Sequence, residues 1–248
     1  MIGQPAAPLA EHLELAGLLL GATRRVEEGD YRHAFVFSLL ADGHAVSSKE
    51  MTHVFPLRLK GAFGESTDNW KPEFKKFIKK KYGKEPSPEE LFGYIYAILN
   101  SPVYRDKFED FLADDYPRVP FPNEHKNFQA LSGLGWELVQ AHILKNVPSL
   151  GRAKFKGKGT NCVEALRYLV EGEAIYINDT QRFHPVSADV WNFQIGTYRV
   201  MERFLKARAE RELTLDEIDR VTDMANVLAF SINQMAKIDS AYKKTFPA

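Results

Sequence analysis

The pattern of apolar and polar positions divides the chain into strand-like and helix-like stretches. Three strand-like segments come first, Leu15 to Ala22, His33 to Leu40 and Thr52 to Leu59. In the second, Phe35, Phe37 and Leu39 alternate with Val36 and Ser38; in the third, Leu57 and Leu59 alternate with Arg58 and Lys60, the period of two expected of a strand. Pro56 cannot donate to a ladder, so this third strand belongs at an edge or a bulge. The polar loops EEGDYR and ADGHAVSSKE separate the three.

Residues 68–146 read as helices. Trp70 to Tyr82 places Phe74, Phe77, Ile78 and Tyr82 on one face, and Gly83 suits its end. Ser87-Pro88-Glu89-Glu90 is a capping box with proline at the first helical position. It opens LFGYIYAILN, which is apolar almost all round and so predicts a buried helix. Ser101-Pro102 restarts a helix through Leu112, and the prolines of YPRVPFP interrupt it. Asn123 to Asn146 turns Phe128, Leu131, Leu134 and Leu138 inward. Strand signals return over 152–186, with Leu166, Tyr168 and Val170 alternating, a turn at Glu171-Gly172, and Ala174 to Ile177 beyond it. A helix bearing Tyr198, Met201 and Leu205 follows. Thr214-Leu215-Asp216-Glu217 is a second capping box, opening a helix that reaches about Lys243, roughly 40 Å long at 1.5 Å per residue. Strands, helices, strands, helices is the order of an α+β fold. The expected architecture is a twisted mixed β-sheet with a large helical part ending in a long C-terminal helix. The expected division is a linker or tail over 1–13, an α/β region over 14–187 with helices 68–146 inserted, and a helical region over 188–248.

A length of 248 residues allows one large domain or two small ones. The aromatic share, 12%, is too high for a disordered chain. No apolar run approaches the roughly 20 residues of a membrane helix, and the N-terminus has no charged segment followed by an apolar one, so neither a membrane nor a signal peptide is expected. A single cysteine, Cys162, excludes an internal disulfide framework and a cysteine-based zinc site. A cytoplasmic setting is the simplest expectation. Thirty-three basic residues balance 33 acidic ones. Whole-chain charge therefore gives no argument for a nucleic-acid binder, and local basic patches must carry any such reading.

Catalytic signatures are missing. GRAKFKGKGT resembles a phosphate loop only superficially: five residues separate Gly151 from Gly157 where four are needed, and Gly159 stands where a hydroxyl would bind magnesium. GxGxxG, GxSxG and HExxH are absent. The seven histidines, His12, His33, His44, His53, His125, His142 and His184, lie on different elements. Asp106, Glu109, Asp110, Asp114 and Asp115 fit a solvated helix face better than a pair of catalytic carboxylates. No S-adenosylmethionine pocket or Asn/Asp-Pro-Pro-aromatic run is present. No catalytic residue, metal site or cofactor is therefore assigned to this chain, and whether it is an enzyme stays open.

Basic residues cluster twice. Residues 71–84 hold seven lysines against Glu73. Lys75, Lys76, Lys79 and Lys80 oppose Phe74, Phe77 and Ile78, as either a solvated face or a ridge that contacts phosphates. Arg152, Lys154, Lys156 and Lys158 alternate with Ala153, Phe155 and Gly157 and have no acid among them, which puts cations on one side of an extended segment. Arg24, Arg25 and Arg32 flank the loop after the first strand. His44, Ser47, Ser48 and Lys49 lie in the loop after the second, and Gln181 and Arg182 follow the later strands. These side chains can read base edges, and arginine can bind guanine with two parallel hydrogen bonds; Arg24, Arg25 and Arg32 fit equally well a solvated surface that keeps the chain soluble. Tyr94, Tyr96, Phe108 and Phe111 read as core.

Longer motifs then suggest a family. EELFGYIYAILNSPVYRDKFEDFLADDYPRVPFP resembles the helix–LNS–helix–PxP segment of the C-terminal specificity region of Type ISP restriction–modification enzymes. HAFVFSLLADGHAVSS and THVFPLRL resemble that family's strands, with Arg58 and Lys60 in place of aromatic residues. AIYINDTQRFHPVSADVWNFQIGTYRVMERFLKAR resembles its YIN…VWNF…IGGYQV segment, with Thr197 in place of the second glycine and Arg199 in place of glutamine. LTLDEIDRVTDMANVLAFSINQMAKID resembles its closing helix. The likeness covers about residues 14–240. It implies a DNA target-recognition domain that directs adenine-N6 methylation and cleavage performed by other domains. Double-stranded DNA and a methyltransferase domain or subunit of the same system would be its partners. S-adenosylmethionine, ATP and magnesium would belong to those other domains. The rival reading of the residues is a non-catalytic protein-interaction scaffold.

Overall fold

The computed structural model describes residues 17–27, 29–38, 51–61, 63–146, 153–195 and 198–247. The chain forms two compact units, residues 1–139 with 235–248, and residues 140–234.

In the first unit, strand β1 (Leu19–Thr23) lies between β2 (Ala34–Phe37) and β3 (Thr52–Pro56), both antiparallel to it. Every β1 residue is buried, which explains its unbroken apolar run. A Cβ on Gly21 would lie 2.5 Å from the Phe37 ring, so glycine lets that ring cross the strand. Pro56 ends an edge strand, as its missing N–H requires. Strands β4 (Arg58–Lys60) and β5 (Ser66–Asp68) pair as a hairpin.

Helix α1 (Pro72–Tyr82) stops at Gly83, whose positive φ of 75° suits glycine. Helix α2 (Pro88–Leu99) carries the complete capping box: Glu90 N–H donates to Ser87 Oγ at 3.1 Å and Ser87 N–H donates to Glu90 Oε2 at 2.8 Å. Leu91 through Leu99 are all buried. The single helix expected from Ser101 to Leu112 is instead two, α3 (Pro102–Lys107) and α4 (Glu109–Asp114), separated by Phe108 at φ −120°. Helix α5 (His125–His142) buries Phe128, Leu131 and Leu138 completely. It meets α2 at two glycines, where a Cβ on Gly135 would sit 1.9 Å from the Gly93 carbonyl oxygen.

In the second unit, strands β6 (Lys154–Lys156), β7 (Arg167–Leu169), β8 (Ala174–Tyr176) and β9 (Arg182–His184) form an antiparallel sheet in the order β6-β9-β8-β7. The short helix α6 (Ala188–Trp191), the hairpin β10 (Gln194–Ile195) with β11 (Tyr198–Arg199), and helix α7 (Val200–Lys206) follow. Helix α8 (Leu215–Thr245) is 31 residues long. Ile175, Phe183, Val190, Met201, Leu205, Val221 and Leu228 belong to one core cluster of this unit.

The α+β class and the long closing helix are as the sequence implied. The β structure of the described residues is divided among four antiparallel sheets rather than one mixed sheet. The boundary expected near residue 187 falls inside the second unit, because the division runs through α5 and α8. A continuous helical pattern carries no sign of such a boundary.

Candidate nucleic-acid interface

Strand alternation builds the site. In β6, Phe155 turns inward onto Phe183, with ring centroids 4.9 Å apart, while Lys154 and Lys156 are exposed. In β9, Phe183 is fully buried and its neighbours Arg182 and His184 point to the other face. The register then aligns the outer residues. Lys156 stands opposite Arg182, Arg182 opposite Tyr176, and Tyr176 opposite Arg167; Lys154 stands opposite His184. The result is a row across all four strands, Lys156–Arg182–Tyr176–Arg167. The guanidinium of Arg167 lies 5.0 Å from the Tyr176 ring centroid and that of Arg182 lies 5.5 Å from it. Arg167 also pairs with Asp179 at 3.1 Å, and His184 Nδ1 lies 2.8 Å from the Gly172 carbonyl oxygen.

The loop after β6 is rigidly built. Gly157 has φ 104°, and a Cβ there would lie 2.0 Å from the Thr180 carbonyl oxygen. The Thr180 hydroxyl donates to the Lys158 carbonyl at 2.9 Å. The Gln181 amide accepts from Asn161 N–H and from Asn178 Nδ2, and donates to Asn161 Oδ1. Lys158 is held exposed on this framework.

The sequence-derived candidates therefore separate. Lys154, Lys156, Lys158 and Arg182 come together on one sheet and its adjoining loop. Gln181 is corrected: at 2% exposure, with its amide engaged on both ends, it braces the loop and cannot reach a ligand. Arg24, Arg25 and Arg32 belong to the first unit. Arg24 pairs with Asp115 at 3.2 Å and lies 6.0 Å from the Tyr116 ring centroid. The Tyr116 backbone N–H and the Arg24 side chain hold the Asp115 carboxyl below its usual range. Arg32 is half-buried and pairs with Asp30, while Arg25 is exposed. His44, Ser47, Ser48, Lys49 and Arg152 lie outside the described residues.

Other expectations resolve with them. On α1, Lys75 pairs with Asp68, Lys79 with Glu85 at 4.0 Å, and Lys81 bonds Asn123, so part of the lysine ridge is engaged with the fold. Tyr94 and Tyr96 are core, but Phe111 is 66% exposed and Phe77 is 47% exposed. Among the described residues no cluster of His, Cys, Asp or Glu could hold a metal ion, and no helix is long and apolar enough to cross a membrane.

Arg167 and Tyr176 escaped the sequence reading, and His184 entered it only as one of seven scattered histidines. Lys-Phe-Lys and Arg-Phe-His share one cation–aromatic–cation alternation, which marks two strands with the same two-faced character. Only the register brings Tyr176 and Arg167 into line with them.

Comparison with solved structures places this fold in a known class. The DrdV–DNA complex, determined by cryo-electron microscopy, matches with a TM-score of 0.69 and 17% identity over 90% of this chain and 24% of that one. A nuclease-deletion mutant of the Type ISP restriction–modification enzyme LlaGI, in complex with a DNA substrate mimic, matches with a TM-score of 0.61 and 16% identity over 92% of this chain and 21% of that one. The ATP-dependent Type ISP enzyme LlaBIII bound to DNA matches with a TM-score of 0.66 and 13% identity over 90% of this chain and 16% of that one. This chain thus spans a quarter or less of the length of each. Comparison with curated proteins gives no match. The family model of the Type ISP C-terminal specificity domain matches residues 1–237, and the chain belongs to that family.

Proposed function

We propose that this chain is the sequence-specific DNA target-recognition domain of a restriction–modification enzyme. Its outer sheet face meets double-stranded DNA. The observation that carries the reading is the cross-strand pair of the exposed Lys156 and the half-buried Arg182. Like charges directly opposite one another destabilise a sheet, and a polyanion removes that penalty by neutralising both. Lys154, Lys156 and Lys158 position the duplex through its phosphates. Arg182 and Arg167, laid against Tyr176, present planar donors suited to base edges or to two phosphate oxygens at once.

The chemistry lies elsewhere in the enzyme. Adenine-N6 methylation would be performed by a methyltransferase domain or subunit using S-adenosylmethionine, and cleavage by an ATP- and magnesium-dependent part. The target adenine must leave the base stack to be methylated, and that pocket belongs to the partner. The setting is the cytoplasm, where such an enzyme meets incoming DNA.

The test is selection of duplexes from a randomised library with the full chain at low salt. One enriched sequence is the expected result, and substitution of Arg182 should relax the preference at defined positions. A chain that retains no duplex, or enriches none over another, overturns the reading.

A further inference from the structure

A second basic surface in the same unit is built from none of the residues assigned above. A groove of about 580 Å³ is lined by Gln194, Tyr198, Arg199, Glu202, Arg203 and Lys206, with Ala207 at its end. Its construction is periodic. Met201 and Leu205 are buried in the core and Phe204 packs against it, so α7 turns residues 202, 203 and 206 to the opposite face, and Arg199, the residue before its first turn, lines the groove with them. Gln194 joins them because it pairs with Arg199 across the β10–β11 hairpin.

The charges are unequal. Glu202 bonds Lys206 at 2.8 Å and Arg199 at 3.4 Å, and these contacts, the Lys206 hydrogen bond foremost, hold its carboxyl below the usual range. One carboxylate thus serves two cations. Arg203 makes no ion pair among the described residues. Its guanidinium carbon lies 4.0 Å from the Tyr198 ring centroid. A guanidinium laid on a ring keeps its N–H fork available and its conformation restricted. The groove is open, and four of its seven lining residues are charged, with the Tyr198 ring, Ala207 and the aliphatic stems of the charged side chains as its apolar surface; such a lining suits an extended anionic strand better than an enclosed small molecule.

We propose that this groove is a phosphodiester-binding site that grips the DNA backbone without reading its sequence, through Arg203 and Lys206 with Arg199 beside them. The assignment rests on the DNA reading of the domain but concerns different residues, and it predicts a different signature. Cations that displace condensed counterions set the salt dependence of binding, at about 0.9 of a log–log slope per phosphate neutralised.

The experiment titrates salt against a labelled duplex of arbitrary sequence, using the full chain, R203Q/K206Q and R203K. The double variant should bind every duplex more weakly by one common factor, with a slope shallower by about 2. R203K keeps the charge and should keep the slope, and unchanged thermal melting of both variants excludes misfolding. A double variant with the wild-type slope overturns the groove while leaving library selection, and so target recognition, untouched. A loss of sequence preference at unchanged slope would make the groove a base reader and also overturn the proposal. Protection of the melting temperature by inorganic phosphate, with no change in duplex slope, would assign the groove to a free phosphate ester and overturn it equally. Failure of library selection with a shallower slope in the double variant would remove target recognition and keep the groove.

Discussion

The side-chain amide of Gln181 holds Asn161 at two points: its oxygen accepts from the Asn161 N–H at 2.8 Å and its nitrogen donates to Asn161 Oδ1 at 2.6 Å. Asn161 has φ 62°, a left-handed conformation that asparagine tolerates better than most residues. The amide therefore fixes the loop that carries Lys158. Gln181→Ala leaves the half-buried Asn161 groups without their partner and should cost about 1–3 kcal/mol. Urea denaturation followed by circular dichroism measures the loss, and an unchanged midpoint would contradict this bracing role.

The cation row makes an electrostatic prediction. Lys154→Gln with Lys156→Gln should lower affinity for all duplexes alike and reduce the salt slope by about 2. Tyr176→Phe keeps the ring under Arg167 and Arg182 and should bind as wild type, whereas Tyr176→Ala should not. Fluorescence anisotropy across a salt series checks both.

Gly135 tests the helix crossing. A methyl group there would meet the Gly93 carbonyl oxygen at 1.9 Å and the Ala97 Cβ at 2.8 Å. Alanine is ordinarily the better helix former by roughly 1 kcal/mol. Gly135→Ala should nevertheless destabilise by about 1–3 kcal/mol, because α2 and α5 must separate. Thermal unfolding that shows a gain would refute the close approach.

Asp239 joins the closing helix to α3. One carboxylate oxygen accepts from the Ser101 hydroxyl and from the Val103 N–H. Asp239→Ala leaves both donors unanswered and should cost about 1–3 kcal/mol. A conservative Asp239→Asn change should recover part of this, as read from the denaturation midpoint.

Glu217 sets a pH dependence. Hydrogen bonds from Arg211, from the Thr214 N–H and from Arg208 hold its carboxyl down to about 2, against 4.5 for a free glutamate. A depressed folded-state value means that the stabilisation is complete above the unfolded value and fades as the carboxyl protonates. The stability difference between wild type and Glu217→Gln should therefore be constant above pH 4.5, shrink below it, and be lost as pH falls through about 2. Denaturation series at stepped pH provide the measurement, and a difference as large at pH 2 as at neutral pH would count against the bonding described.

Much of the fold was legible because local rules and tertiary demands agree. Both capping boxes form with their reciprocal bonds, at Ser87 with Glu90 and at Thr214 with Glu217. The all-apolar helix after Ser87 is buried over its apolar length. Where the two conflict, the sequence misled. Phe77 belongs to the apolar face of α1 yet stays half open to solvent beside Phe121. Gln181 sits among basic residues and resembles a reader of bases, but its loop turns it inward.

By itself the sequence determined the α+β class, the starts of the helices that open on a capping box and the two-faced strand around Phe155, since capping and alternation act between residues a few positions apart. It placed the charge of Lys154 and Lys156 on one side of their strand for the same reason. Tertiary structure alone decided which residues stand beside them. Register between β6, β9, β8 and β7 aligned Arg182, Tyr176 and Arg167 with Lys156, and helix packing required glycine at positions 93 and 135. Pairing between strands distant in sequence depends on loop closure and core packing, and no local pattern of side chains encodes either.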